Sequence, residues 1–208
     1  MDVRPIESGL PLYPEEELSV QRAVPKRRDE FATGRWCARQ ALAQLGVAPA
    51  PVPVGRWRNP IWPDQLTGSI SHTGNLCAAV AARRTTWTAI GIDLLDRASA
   101  AQLPADAAGL LANPHETDAP APGLPAWLPP LVLLFSVKEA AIKALSPTLQ
   151  RFVDFPEIRL RFESHTFAAS MDSERLSVHG WWAIAMDETI VTGAVLLSSS
   201  GGHSTLAP

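Results

Sequence analysis

The sequence FSVKEAAIKA, residues 135–144, lies beyond the middle of the chain and belongs to a predicted helix around which the rest of the fold is organised. Apolar residues recur close to a 3.6-residue period, at Leu131, Leu134, Phe135, Ile142 and Leu145. The Pro129-Pro130 pair is suited to open this helix, and Pro147 is expected to stop it. The segment therefore predicts one long amphipathic helix in the second half of the chain.

Glu139 and Lys143 are four residues apart, so both project from one face of this helix. By itself the pair predicts an ordinary helix salt bridge of about 0.3–0.5 kcal/mol. A second interpretation follows from the sequence IGID, residues 90–93, which predicts a strand ending on the carboxylate of Asp93. Two carboxylates suit a Mg²⁺ ion that keeps several waters and binds substrate phosphates, and Lys143 would neutralise charge on a phosphoryl group.

Composition limits the class of protein. At 208 residues the chain is long enough to bury a real core, as one large domain or two small ones. Its net charge of −3 gives no indication of nucleic acid or an anionic membrane as a partner. The longest apolar stretch, Leu124–Phe135, is too short for a membrane span, and Met1–Pro14 lacks a signal-peptide pattern. We expect a cytoplasmic protein in which Cys37 and Cys77 are small buried hydrophobes.

A second long helix is predicted at Lys26–Leu45, with Pro25 near its start and Gly46 just past its end. A short helix is expected before it, within Glu15–Ala23. Three arginines fall close to one line on the long helix: Arg28, Arg35 and Arg39. They predict a solvated basic face by default, or alternatively a phosphate-binding row, because guanidinium donors match phosphate oxygens.

Residues 47–67 form a proline-rich loop, whose Trp57 and Trp62 either anchor the loop or stack on an adenine ring. Three neighbouring strands follow and predict a compact α+β unit with the preceding helix; they are Ser69–His72, Leu76–Ala82 and Trp87–Asp93. Asp93 ends the last of these strands. His72 ends the first, where a structural histidine is the default interpretation.

The second half is predicted to repeat this plan. Residues 98–130 give a short helix and a long irregular connection, and the helix with the FSVKEAAIKA sequence follows. Alternating patterns then predict an antiparallel meander at 158–163, 167–171, 177–186 and 189–197. The predicted fold class is α+β, with two similar halves at residues 1–97 and 98–208, each a long helix on a small antiparallel sheet. The tail, residues 198–208, is expected to be disordered.

Several enzyme classes are disfavoured because their motifs are missing from the sequence. It contains no Gly-x-x-x-x-Gly-Lys-Ser/Thr loop, no Gly-x-Gly-x-x-Gly and no Gly-x-Ser-x-Gly. Kinases, dehydrogenases and α/β-hydrolases are therefore not favoured.

Four blocks in order resemble the 4′-phosphopantetheinyl transferases of the surfactin/enterobactin-synthetase type. They are RRDEFATGRWCAR at residues 27–39, Trp62-Pro63 leading into GSISH at 68–72, GID at 91–93, and FSVKEAAIK at 135–143. The resemblance implies two α+β halves with the active site in the cleft between them. It also implies transfer of 4′-phosphopantetheine from coenzyme A to a serine of an apo acyl or peptidyl carrier protein, with release of adenosine 3′,5′-bisphosphate.

The resemblance also implies roles for particular residues. Coenzyme A would be bound by Arg27, Arg28, Arg35, Ser71, His72, Lys138 and Lys143. Of these, Arg27, Arg35 and His72 would approach its 3′-phosphate. Asp93 and Glu139 would hold Mg²⁺ on the pyrophosphate, and the catalytic set would be Asp93, Glu139 and Lys143. Glu139 or a metal-bound water would take the proton of the attacking serine. A monomer is expected, and the sequence does not distinguish carriers of fatty-acid, polyketide or nonribosomal-peptide synthesis.

This chain departs from the family pattern at two positions. Where the family usually has a third metal carboxylate, two residues after Asp93, this chain has Leu95, and Asp96 would point away from the face of Asp93 in an extended strand. Val54 stands where the related branch often has a lysine, which Arg56 or Arg58 would replace. Leu95 keeps an alternative open: a weak or repurposed relative that binds coenzyme A or a carrier protein.

Overall fold

The computed structural model describes residues 1–103, 108–111, 116, 124–171, 173–174, 176–185 and 188–197. The helices are α1 (Pro14–Glu17), α2 (Pro25–Gln44), α3 (Arg97–Ala100), α4 (Ala108–Leu111) and α5 (Pro130–Leu149). The strands are β1 (Asp2–Pro5), β2 (Leu66–Thr73), β3 (Leu76–Arg83), β4 (Trp87–Leu95), β5 (Ile158–Glu163), β6 (Thr166–Met171), β7 (Ser177–Ala185) and β8 (Thr189–Leu197). The predicted disordered tail and most of the long connection before α5 lie outside the described residues. No helix among those described is long and apolar enough to cross a membrane.

Two antiparallel sheets form the fold, as the predicted α+β class requires. The smaller has the strand order β1-β3-β2 and the larger the order β4-β8-β7-β6-β5. The meander predicted after α5 is confirmed, because β5 to β8 pair consecutively. The prediction that β2, β3 and β4 share one sheet is wrong: β4 pairs with β8, with Asp93 opposite Thr192. The division of the chain into halves at residue 97 stays a prediction.

Burial explains why β4 joins the larger sheet. All seven of its residues from Ala89 to Leu95 are buried, whereas a strand at the outside of a small sheet would expose alternate residues. Ile90, Ile92 and Leu94 pack towards β3, while Leu95 packs under α5. β4 is therefore a central layer between the small sheet and α5.

A row of side-chain hydrogen bonds joins β2 to β4. Three hydroxyls at alternate positions of β2 accept hydrogen bonds from three alternate backbone N–H groups, two of them in β4 and the third at Asp96, just past the end of β4. The pairs are Ser69 with Ile92, Ser71 with Leu94 and Thr73 with Asp96, at Oγ–N distances of 3.0, 3.1 and 3.0 Å. This row, the hydroxyl ladder, provides acceptors for backbone N–H groups on the edge of β4 that does not pair with β8. Side-chain hydrogen bonds therefore join the two sheets where they meet.

The helix α2 ends where the sequence predicts. Gly46 adopts a left-handed φ of 72°, and its N–H donates to the carbonyl of Ala43 at 2.9 Å. The N–H of Val47 donates to the carbonyl of Leu42 at 3.1 Å, which completes the cap. The short helix before it is confirmed only in part, because α1 covers four residues, Pro14–Glu17.

The helix α5 differs from prediction at its end. Pro147 does not stop it, and the helix continues to Leu149, where Gln150 turns the chain with a φ of 53°. Because Pro147 lies in the last turn, its missing N–H removes one bond near the end of the helix and leaves the earlier turns intact.

The contact between α5 and β4 depends on Gly91. A Cβ atom at this position would overlap the carbonyl oxygen of Ala140 and would lie 2.8 Å from the backbone nitrogen of Ala144. Only a residue without a side chain lets the helix backbone approach the strand this closely. The position of α5, and of the polar residues on its cleft side, therefore depends on this glycine.

We expect Gly91→Ala to lower the free energy of unfolding by about 3 kcal/mol, because helix and strand must separate. Urea denaturation followed by circular dichroism measures this loss. Gly109→Ala is the control, since a Cβ atom there meets nothing within 4 Å. Equal stability of the Gly91→Ala variant and the wild-type protein would contradict the packing argument.

Candidate active site

A cleft of about 850 Å³ lies between the two sheets and is lined by residues from α2, β2, β4, α3 and α5. It brings together seven of the predicted site residues: Arg27, Arg35, Ser71, His72, Asp93, Glu139 and Lys143. Arg28, Lys138 and Asp96 are not among its lining residues. Most of the predicted site residues therefore lie on one surface of the molecule, and the other three lie elsewhere.

Asp93 is held in the cleft by three hydrogen bonds, and only 6% of the residue is exposed. Its Oδ1 accepts hydrogen bonds from Lys143 Nζ at 2.7 Å and from Ser71 Oγ at 3.0 Å. Its Oδ2 accepts one from Ser136 Oγ at 2.8 Å. β2, β4 and α5 therefore all contribute to fixing this carboxylate.

Lys143 pairs with Asp93 and not with Glu139. Its three donors find three acceptors: Asp93 Oδ1, the carbonyl of Ile92 at 3.0 Å and Ser71 Oγ at 3.1 Å. The interpretation of Glu139 and Lys143 as an ordinary helix salt bridge is therefore wrong, because β4 and β2 offer Lys143 a complete set of acceptors.

Glu139 lines the cleft one turn before Lys143 and makes no hydrogen bond within the described part of the chain. Burial raises the pKa of its carboxyl, the negative charge of Asp93 raises it further, and Lys143 opposes both effects. A partly buried carboxylate without a donor, facing the same cleft as a second carboxylate, favours binding of a cation.

The two carboxylates fit a Mg²⁺ ion, which accepts two protein carboxylates and keeps waters and substrate phosphates as its other ligands. Among the described residues there is no group of three or more histidine, cysteine, aspartate or glutamate side chains that would hold a metal. Leu95 takes the position of a third acid and packs in the core beneath α5. The fit is therefore to a site with Asp93 and Glu139 alone.

Asp96 has a structural role. Its Oδ1 accepts a hydrogen bond from the backbone N–H of Ser99 at 2.6 Å and caps the short helix α3. Burial raises the pKa of this carboxyl, but hydrogen bonds from Ser99 and Thr73 outweigh it and the pKa is lowered. Asp96 thus does not replace the acid missing at Leu95.

Arg35 is a buried cation in the cleft wall. Only 6% of the residue is exposed, its guanidinium lies 4.0 Å from the centre of the Phe31 ring, and burial lowers its pKa to about 10. It makes no ion pair or hydrogen bond with any described residue, and its Nε is buried without a partner. Leaving a buried charge unpaired is costly, so this arrangement favours an anionic ligand.

Arg27 and His72 stand beside this cation. Arg27 Nη1 lies 2.9 Å from His72 Nε2 and 3.2 Å from Glu30 Oε2. Because a guanidinium only donates, His72 Nε2 must be the acceptor and is unprotonated. Burial lowers the pKa of His72, and the charge of Arg27 adds to the effect against the attraction of Glu30. The neutral imidazole and its neighbouring guanidinium form one wall of the cleft.

The three arginines predicted on one line of α2 do not form a solvated basic face. Arg28 Nη2 pairs with Glu17 Oε1 at 2.5 Å, outside the cleft lining. Arg39 is buried and pairs with Glu16, which is itself fully buried and also accepts the N–H of Val52. Glu17 and Glu16 of the acidic helix α1 pair with these two cations, so that of the three arginines Arg35 alone lines the cleft.

Lys138 is a second correction, because it does not reach the cleft. The residue is fully buried, and its Nζ donates to the carbonyls of Leu111 at 2.8 Å and Phe155 at 2.9 Å and to Glu116 Oε2 at 2.7 Å. Burial lowers the pKa of Lys138, and Glu116 opposes this. The side chain is enclosed by these three acceptors and does not line the cleft, so the structure places Lys138 away from the other predicted site residues.

Two residues that contact the site were not predicted as part of it. Ser136 lies on α5 within the FSVKEAAIKA sequence, and Thr192 lies on β8 opposite Asp93. Their Oγ atoms are 2.5 Å apart, and both residues are fully buried. The signal in the sequence is a polar residue inside each of two otherwise apolar buried segments. It did not indicate which partner each hydroxyl would meet.

Two family models match the chain across most of its length. One, described as the 4′-phosphopantetheinyl transferase N-terminal domain, matches residues 15–82. The other, described as the 4′-phosphopantetheinyl transferase superfamily, matches residues 89–184. The chain therefore belongs to the 4′-phosphopantetheinyl transferase superfamily, and the resemblance seen in its sequence blocks is confirmed.

Individual relatives agree with this assignment and with the enzyme class. The chain is 40% identical to the 4′-phosphopantetheinyl transferase PptT of Mycobacterium tuberculosis over 75% of its own length and 67% of the relative. It is 36% identical to the 4′-phosphopantetheinyl transferase Svp of Streptomyces mobaraensis over 92% and 80% of the two chains. It is 32% identical to the enterobactin synthase component D of Escherichia coli K12 over 79% and 76%. The protein is thus a phosphopantetheinyl transferase by family.

We expect Lys138→Met to lower the free energy of unfolding by about 3 kcal/mol, because the carbonyls of Leu111 and Phe155 and the carboxylate of Glu116 lose a buried charged donor. The coenzyme A affinity of the folded variant, measured by isothermal titration calorimetry, should not change. The double variant Lys138→Met/Glu116→Gln also removes the carboxylate charge of Glu116 and keeps an acceptor for the N–H of Leu160. It should recover part of the loss. A stable Lys138→Met variant with weakened coenzyme A binding would instead place Lys138 in the substrate site.

Proposed function

We propose that this protein transfers 4′-phosphopantetheine from coenzyme A to a serine of an apo acyl or peptidyl carrier protein and releases adenosine 3′,5′-bisphosphate. One observation carries the proposal. The same cleft holds a buried guanidinium, Arg35, that has no counter-ion among the described residues, and a carboxylate pair with an ammonium, Asp93, Glu139 and Lys143. A substrate with one terminal phosphate and a separate pyrophosphate has the charges that these two groups need.

The cations on α2 bind the 3′-phosphate of coenzyme A in this proposal. Arg35 supplies a rigid fork of donors, which its stacking on Phe31 holds in place. Arg27 is half exposed at the side of the cleft, and it can turn from Glu30, which it contacts at 3.2 Å, to a phosphate. His72 adds a neutral hydrogen-bonding group beside it.

Asp93 and Glu139 would hold a Mg²⁺ ion, which supplies neutralisation of the pyrophosphate charge when bound. Lys143, already fixed against Asp93, places an ammonium at the transferred phosphoryl group. The geometry supplies positioning and charge stabilisation, which phosphoryl transfer mainly needs.

Glu139 accepts the proton of the carrier serine in this mechanism. The serine oxygen forms a bond to the phosphorus that carries pantetheine, and the bond from that phosphorus to the bridging oxygen of the pyrophosphate breaks. The leaving group is adenosine 3′,5′-bisphosphate, which keeps the bridging oxygen and its electron pair.

The proposed activity predicts a mass change on a carrier protein. We expect apo carriers incubated with the protein, coenzyme A and Mg²⁺ to gain one phosphopantetheine mass, and the gain to be lost with a chelator or in Glu139→Ala. Intact-mass spectrometry of carriers from fatty-acid, polyketide and nonribosomal-peptide synthesis measures this and identifies those accepted.

Failure of every carrier to gain mass while coenzyme A still binds would contradict the transferase and support the alternative of a binding relative. Leu95→Glu then tests the cause, because Leu95 lies on the same side of β4 as Asp93. Transfer restored by this substitution would identify the missing carboxylate as the defect.

A second prediction tests the 3′-phosphate contact. We expect Arg35→Met to raise the KM for coenzyme A about 10- to 100-fold, the usual effect of losing a hydrogen bond to a charged group. The KM for 3′-dephospho-coenzyme A should not change, since that substrate lacks the phosphate. Arg28→Met removes a guanidinium from the same helix outside the cleft and should leave both constants unchanged. An equal rise for both substrates in Arg35→Met would refute the assignment.

A further inference from the structure

Thr192, Ser136 and Asp93 form a buried chain of side chains that runs from β8 through α5 to the cleft. The backbone register places Thr192 directly opposite Asp93 on the neighbouring strand. Thr192 and Ser136 are fully buried, with 2.5 Å between their Oγ atoms, and Ser136 Oγ lies 2.8 Å from Asp93 Oδ2. Three separate elements, β8, α5 and β4, thus contribute one group each.

Each hydroxyl has a single proton, and this fixes the direction of the hydrogen bonds from Thr192 to Asp93. An ionised carboxylate only accepts hydrogen bonds, so Ser136 must donate its single proton to Asp93. Ser136 Oγ is then left as an acceptor, and Thr192 must donate to it. The order is Thr192 to Ser136 to Asp93, and each donor has one defined acceptor.

The other oxygen of Asp93 is held from the opposite side. Ser71 Oγ donates its proton to Asp93 Oδ1 and accepts from the N–H of Leu94 and from Lys143, which uses its full capacity of one donor and two acceptor sites. The terminal torsion of an aspartate is broad and soft, so contacts at one oxygen alone would leave the carboxylate plane free to rock. Ser136 removes this freedom because it ties down Oδ2.

We infer that Thr192 and Ser136 are positioning residues that orient the Asp93 carboxylate for a divalent cation in the cleft. The inference rests on the proposed function, because the cation belongs to it. Ser136 and Thr192 do not line the cleft and so act only through Asp93. Groups that orient a metal-binding carboxylate typically change metal affinity 10- to 100-fold when they are lost.

The test measures Mn²⁺ binding to the full-length protein by electron paramagnetic resonance, with coenzyme A present and without turnover. We expect Thr192→Val and Ser136→Ala each to weaken Mn²⁺ binding 10- to 100-fold. The double variant should be little worse than either single variant, because both break the same chain. Thr192→Ser keeps the hydroxyl and should restore binding to near the wild-type affinity.

Ser146→Ala is the matched control. Ser146 is a buried serine on the same helix whose hydroxyl has no hydrogen-bond partner in the described part of the chain, so removing it should leave Mn²⁺ affinity unchanged. Circular dichroism melts establish that each variant is folded at the temperature of the binding measurement. If Ser136→Ala does not fold, the Thr192→Val and Thr192→Ser pair decides the inference.

Two results would overturn the inference, and they differ in their meaning for the proposed function. Folded variants with wild-type Mn²⁺ affinity and a lower Tm would show that Thr192 and Ser136 serve only stability, while the proposed metal site stands. No Mn²⁺ binding by the wild-type protein itself would overturn the metal site and the inference together.

Discussion

The fold depends on satisfying the backbone of β4, a strand buried between the small sheet and α5. Its one edge pairs with β8, and the N–H groups of the other edge would be buried without partners if β2 did not supply Ser69, Ser71 and Thr73. Ser71 belongs both to this hydroxyl ladder and to the site, since the same oxygen accepts from Leu94 and donates to Asp93. The hydrogen bonds that join the two sheets therefore also help to hold the Asp93 carboxylate in place.

Two pairs of neighbouring charges in this protein differ in how completely they are hydrogen-bonded. Arg35 and Arg39 are one turn apart on α2 and both buried, yet Arg39 has Glu16 and a carbonyl as partners while Arg35 has none among the described residues. The same contrast divides the buried Lys138, enclosed by three acceptors, from Glu139 beside it, which faces the cleft and accepts no hydrogen bond from the residues that the structure describes. A buried charge without a partner is unfavourable, so it is retained where a ligand completes it.

Local patterns predicted the helices and most strands, because periodicity, Pro25 and Gly46 act within a few residues. They did not predict the sheet to which β4 belongs or the partner of Lys138. Both depend on contacts distant in sequence, β8 for the strand and Glu116 for the lysine. The family blocks placed Asp93, Glu139 and Arg35 in one cleft, but position in a motif does not reveal the direction of a side chain, as Lys138 shows.

Leu95 makes the orientation of Asp93 more important in the proposed site. A third carboxylate two residues along β4 would share the same face and would fix the cation even if Asp93 rocked. With leucine there, packed in the core under α5, the protein supplies two carboxylates, and one of them, Glu139, is not held by any hydrogen bond among the described residues. Asp93 is then the one rigid ligand of the proposed site. Ser71 and Ser136 hold it directly by hydrogen bonds, and Thr192 holds it through Ser136.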